Sequence, residues 1–79
     1  ELSKHLLDEI IRRVVDVAHP DRIILFGSAA RGEMTHGSDA DMLVIKDGVK
    51  SRRTLEGKIY KSLIGVNLPV DVIVATKED

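Results

Sequence analysis

A chain of 79 residues with a net charge of −1 and no cysteine leaves room for a single domain, residues 1–79, with a thin core. A domain this short buries roughly 60% of the surface its unfolded chain exposes. The missing cysteines exclude a disulfide framework, a zinc–thiolate site and a thiol nucleophile. Twelve basic against 13 acidic residues argue against direct nucleic-acid binding. No apolar run approaches the roughly 20 residues of a bilayer span, so no membrane association is expected. No signal peptide is visible, and a cytoplasmic protein is the expectation.

Apolar residues make up 43% of the chain, with one Phe and one Tyr, so the core must be aliphatic. The first segment, Ser3 to His19, is predicted as a helix. Leu6, Ile10 and Val14 recur at i, i+4 and i+8, with Leu7, Ile11 and Ala18 beside them. Ser3 is the expected N-cap. Asp8–Arg12 and Glu9–Arg13 are acid-before-base pairs one turn apart. His19-Pro20 ends the helix, because a residue before proline avoids the α region. "RIILF", Arg22 to Phe26, predicts a strand, internal because it is apolar throughout. Gly27 stops it, and "SAAR" has room for one helical turn. A loop through Gly37-Ser38 leads to a second strand, Asp39 to Lys46, followed by a turn at Asp47-Gly48. "SRRTLEGKIYKSLIG" predicts a second helix with Leu55, Ile59, Leu63, Tyr60 and Ile64 as its apolar stripe and Gly65 at C′. The third strand is Val70 to Ala75, with Pro69 at its entrance. The economical fold is a small sheet covered by helices on one face. Pattern alone leaves open whether that sheet is mixed or parallel.

The chemistry concentrates in "GSAARGEMTHGSDAD", Gly27 to Asp41. Side chains at i and i+2 of a strand share a face, so Asp39 and Asp41 project together. Carboxylates held side by side repel unless a cation sits between them. Mg²⁺ suits that place, since it binds through one or two carboxylates plus substrate phosphates. An isolated D-x-D is more often a turn cap followed by a solvated strand residue. Here it follows a glycine-rich loop and opens the apolar run "MLVI". A third carboxylate, Asp71, interrupts the apolar strand "PVDVIVA", where packing gives no reason for a charge. If the third strand lies beside the second, Asp71 joins the cluster. Gly27-Ser28 ends a strand and opens a helical turn, a place where free N–H groups can hold a phosphate. By itself such a turn is usually a plain N-cap.

Gly27-Ser28, ten residues, then Asp39-x-Asp41 resembles the signature of the DNA polymerase β-type nucleotidyltransferase superfamily. "GSAARG" and "SDADMLV" carry its two halves, and "VDVIV" is similar to the strand bearing its third carboxylate. The short length resembles the minimal nucleotidyltransferases of bacteria and archaea. The resemblance implies an α+β nucleotidyltransferase fold, with helices on one face of a small mixed sheet of three or more strands. It implies that Gly27 and Ser28 hold the phosphates of a nucleoside triphosphate, ATP. It implies that Asp39 and Asp41 bind two Mg²⁺ ions, and that Asp71 binds the catalytic ion and helps activate the acceptor hydroxyl. Arg31 would touch phosphate or brace the loop, and Gly32 would be a hinge.

The remaining candidates are weaker. His5, His19 and His36 lack metal-ligand spacing, although His36 lies in the active loop. Lys50, Arg52 and Arg53 read first as a solvated helix start. The chain carries no substrate domain, and it ends where relatives continue into another strand or helix. An acceptor supplied by a partner follows, because positioning two reactants provides much of the rate. Minimal nucleotidyltransferases are commonly paired with HEPN toxins, and the resemblance implies transfer of AMP from ATP to a tyrosine of that toxin. The alternatives are an antitoxin that acts by binding alone, and nucleotidyl transfer to a small molecule such as an aminoglycoside. Few strands leave sheet edges to manage, which favours a homodimer or a heteromeric complex.

Overall fold

The computed structural model of the chain describes residues 2–27, 40–66 and 69–78. Helix α1, Leu2–Ala18, forms because its apolar residues recur at helical spacing. Ile10, Val14 and Ala18 are buried on its inner side. The helix starts at Leu2, so Ser3 lies inside its first turn rather than at the N-cap. It ends at Ala18 rather than His19. His19 turns into the left-handed region at φ 46°, and its N–H donates to the Val15 carbonyl at 3.0 Å. That single bond closes the helix, and Pro20 prevents its continuation. Of the two predicted ion pairs, Glu9 with Arg13 forms at 2.8 Å. Arg12 turns away from Asp8 and pairs instead with Glu9 and Asp16. Glu9 thus lies between two guanidiniums, whose hydrogen bonds bring its pKa from 4.5 down to about 2.

Strand β1, Arg22–Phe26, and strand β2, Ala40–Ile45, pair antiparallel. Helix α2, Arg52–Ser62, then crosses to strand β3, Val70–Ala75, which pairs parallel with β2. The sheet is therefore mixed, in the order β1-β2-β3, and the fold is α+β. The expectation that β1 is internal is not met among the described residues, where β2 is central and β1 lies at an edge. Its apolarity has another source. Ile23 and Leu25 pack on the core beneath the helices, while Ile24 and Phe26 alternate to the opposite face.

Helix α2 is capped at Ser51, whose hydroxyl accepts the Thr54 N–H at 3.2 Å. Its stripe is narrower than predicted. Ile59 and Leu63 are buried, but Ile64 is 74% exposed, because the helix stops at Ser62 with Leu63 as C-cap. Gly65, at φ 92°, was expected at C′ but falls one place later, at C″, since Leu63 is the C-cap. Arg13 of α1 closes this end by donating to the Ser62 and Ile64 carbonyls at 3.0 and 3.1 Å. Last-turn carbonyls have no partner within their own helix, so one arginine both caps α2 and ties the helices together. The core lies between the helix pair and one face of the sheet: Ile10, Val14 and Ala18, Ile59 and Leu63, then Met42, Val44, Val72 and Val74.

Candidate active site

Strand direction brings three chain segments to one end of the sheet. Because β1 runs against β2, its C-terminal end meets the beginnings of β2 and β3. Phe26 pairs with Asp41, and Asp41 pairs with Asp71. Neighbouring strands lie roughly 4.8 Å apart, and paired residues point to the same face. Met42 and Val72 turn into the core, so Asp41 and Asp71 turn to the face opposite both helices. Asp41 is half-buried at the central strand and Asp71 is exposed at the edge.

Gly27 follows β1 directly and adopts φ 68°, where side chains are disfavoured. A Cβ at this position would lie 2.5 Å from Asp41 Oδ2. The glycine therefore does two things, turning the chain and leaving space for a carboxylate oxygen. The sequence suggested a close approach at Gly27 for a ligand. The structure shows that the first group to use the space is Asp41.

The predicted constellation is thus brought together for Gly27, Asp41 and Asp71. Ser28, Arg31, Gly32, His36 and Asp39 lie outside the described residues, as does the predicted "SAAR" turn. Among the described residues no three His, Cys, Asp or Glu side chains gather around one point. Asp41 and Asp71 are a pair in a donor arrangement that suits a hard divalent cation: two carboxylates on one face, in register, with like charges that a cation would offset.

Two residues of this region carried no predicted role. Tyr60, placed only in the apolar stripe, is 43% exposed, yet its hydroxyl accepts the Val72 N–H at 2.8 Å. Glu56 Oε2 accepts the Val74 N–H at 3.0 Å. Their spacing of i and i+4 on α2 was the available signal, since it puts both on one side of the helix. Of the predicted basic cluster, Lys50 lines a cavity of about 380 Å³ together with Lys46, Lys58, Val49 and Leu55, at the far end of β2 from Asp41; Arg52 and Arg53 do not line it.

A family model described as a nucleotidyltransferase domain matches residues 6–79. The chain belongs to this family. Nucleotidyltransferase domains generally use a nucleoside triphosphate and a divalent metal, which is the chemistry an in-register carboxylate pair can serve. A protein of Methanocaldococcus jannaschii named "Putative protein adenylyltransferase" is 33% identical over 66 residues, covering 81% of this chain and 45% of its own. The chain thus spans less than half the length of that relative. No solved structure matches. Among the described residues no helix of this nucleotidyltransferase is long and apolar enough to cross a membrane.

Proposed function

We propose that this nucleotidyltransferase transfers AMP from ATP to a hydroxyl group of a partner protein. The observation that carries the reading is the Asp41–Asp71 pair on the face opposite the helices, with Gly27 cleared of side chain against Asp41. Asp41 and Asp71, with Asp39, would hold two Mg²⁺ ions. When bound, the ions supply charge neutralisation at the triphosphate and a more acidic acceptor hydroxyl. Gly27 and Ser28 would orient the phosphates, and Arg31 would touch phosphate or brace the loop. Asp71, exposed on its strand, would help to activate the acceptor hydroxyl by receiving its proton. The acceptor oxygen forms a bond to the α-phosphorus as the bond to pyrophosphate breaks.

A protein acceptor fits a site whose described carboxylates, half-buried Asp41 and exposed Asp71, stand on the sheet face opposite the helices. The name of the Methanocaldococcus jannaschii relative points the same way. The resemblance to minimal nucleotidyltransferases makes the acceptor a tyrosine of a HEPN toxin, and this protein its antitoxin in the cytoplasm. Incubation with labelled ATP, Mg²⁺ and a cognate HEPN protein should put label on that partner. An Asp41→Asn variant should put none. Equal neutralisation of the toxin by both forms would instead establish an antitoxin that acts by binding alone.

A further inference from the structure

Strand β3 carries Asp71 and has a strand neighbour on one side, β2. Its other side is held by two side chains of α2. The Tyr60 hydroxyl accepts the Val72 N–H at 2.8 Å and donates to the Val72 carbonyl at the longer distance of 3.5 Å. Two residues on, Glu56 accepts the Val74 N–H. In an extended strand the N–H and C=O of one residue point to the same side, and successive residues alternate. Val72 and Val74 therefore face the outer edge, and the Asp71 backbone turns toward β2. Tyr60 does for Val72 what another strand would do, engaging both main-chain groups of a single residue. The tie falls one residue from Asp71, near the start of the strand. Glu56 supplies its tie farther from the carboxylates.

We infer that Tyr60 is the positioning residue for Asp71. Its hydroxyl fixes the start of β3 and so holds the Asp71 carboxylate in register with Asp41. The inference rests on the reading of that pair as a metal site. Mg²⁺ tolerates little departure from octahedral geometry, so a carboxylate on a loosely held edge strand would bind it poorly. Residues that orient metal ligands commonly matter nearly as much as the ligands themselves. The ring of Tyr60 is part-exposed and the aliphatic core does not depend on its hydroxyl. Loss of that oxygen should therefore reach the site without unfolding the chain.

Tyr60 is the sole tyrosine, and tryptophan is absent, so fluorotyrosine labelling reports on this position alone. The full chain, labelled with ¹⁵N and 3-fluorotyrosine, is titrated with Mg²⁺ and followed by NMR. The Asp41 and Asp71 amide signals should shift, and the Tyr60 fluorine signal should move with the same midpoint, because coupling between two positions is reciprocal. Tyr60→Phe should raise the Mg²⁺ midpoint about tenfold and speed exchange of the Val72 amide about fivefold. Glu56→Ala should speed exchange at Val74 and leave the Mg²⁺ midpoint where it was. An unchanged midpoint in Tyr60→Phe, beside faster exchange at Val72, would reduce Tyr60 to a structural tie and overturn the inference. Should that variant fail to fold, a wild-type fluorine signal that stays still while the Asp71 amide shifts overturns it equally. A wild type whose Asp41 and Asp71 signals ignore Mg²⁺ overturns the metal reading itself.

Discussion

On the helix side of the sheet, Met42 and Val44 meet Ile10, Val14 and Ile59, and all five side chains are sealed from solvent. On the other side stand the residues that alternate with them: Asp41 and Leu43, Asp71 and Ile73. There Ile73 is 50% exposed and Phe26 40%. The two sets are interleaved along the same strands, one residue apart. Cohesion is gathered on one face, and the groups with chemistry are left on the face a substrate can reach. Neighbouring positions such as Asp41 and Met42 should therefore fail in different ways when substituted, one losing activity and the other losing the fold.

The largest effect should come from the open face. Asp41→Asn is expected to lower nucleotidyl transfer about a thousandfold, if one carboxylate supplies about 4 kcal/mol of charge stabilisation at roughly 1.4 kcal/mol per decade. Thermal unfolding of the metal-free protein should be unchanged or slightly raised. The substitution removes a like-charge contact between cross-strand neighbours, and calorimetry beside a turnover assay separates the two outcomes. The helix side should show the reverse. Ile59→Ala deletes a fully buried side chain, and such truncations cost about 2–5 kcal/mol. That is a large share of a domain's stability, and denaturant titration should register it. Activity per folded molecule should stay near the wild-type value.

This division also explains what was legible in the sequence. The helix side was readable because its signal is periodic: Ile10 and Val14, Ile59 and Leu63, and the apolar runs of the strands announce a buried surface. Strands β1 and β3 fall at their predicted limits for the same reason. Asp71 stood out because a charge in an apolar strand lacks a packing explanation, and the structure puts it in register with Asp41. Strand neighbours were harder to read. The apolar run of β1 looked internal, but an edge strand half-covered on both faces has the same composition. The hydroxyl of Tyr60 was hidden more deeply, since the i, i+4 spacing of Glu56 and Tyr60 puts both on one side of α2 but does not tell which strand backbone they engage. The end of α2 depended likewise on Arg13, far away in the chain.

Gly27 joins the two faces and should mix their phenotypes at intermediate size. Gly27→Ala forces a Cβ into the left-handed region, a cost of about 1–2 kcal/mol, and drives it against Asp41 Oδ2, 2.5 Å away. Both the unfolding midpoint and turnover should fall, and a shorter helix-side residue elsewhere should not reproduce the loss of turnover. Normal activity in the Gly27→Ala variant would mean that Asp41 has another position from which it can work.

The smallest effect belongs to α1, away from the sheet altogether. Hydrogen bonds from Arg12, then Arg13, hold the Glu9 pKa at about 2, below its ordinary 4.5. A depressed carboxylate pKa contributes stability that is complete above the unfolded value and disappears as pH falls through the folded one. The difference in stability between wild type and Glu9→Gln should therefore be constant at neutral pH and shrink between pH 4.5 and about 2. The ion pairs are exposed, so added salt should shrink the same difference at neutral pH. Carbon-detected titration of the Glu9 carboxyl tests the cause directly. A midpoint near 4.5 would show that the two arginines do not grip it in solution. Either way turnover should not change, because Glu9 touches neither the sheet face that carries Asp41 and Asp71 nor the α2 side chains that hold β3.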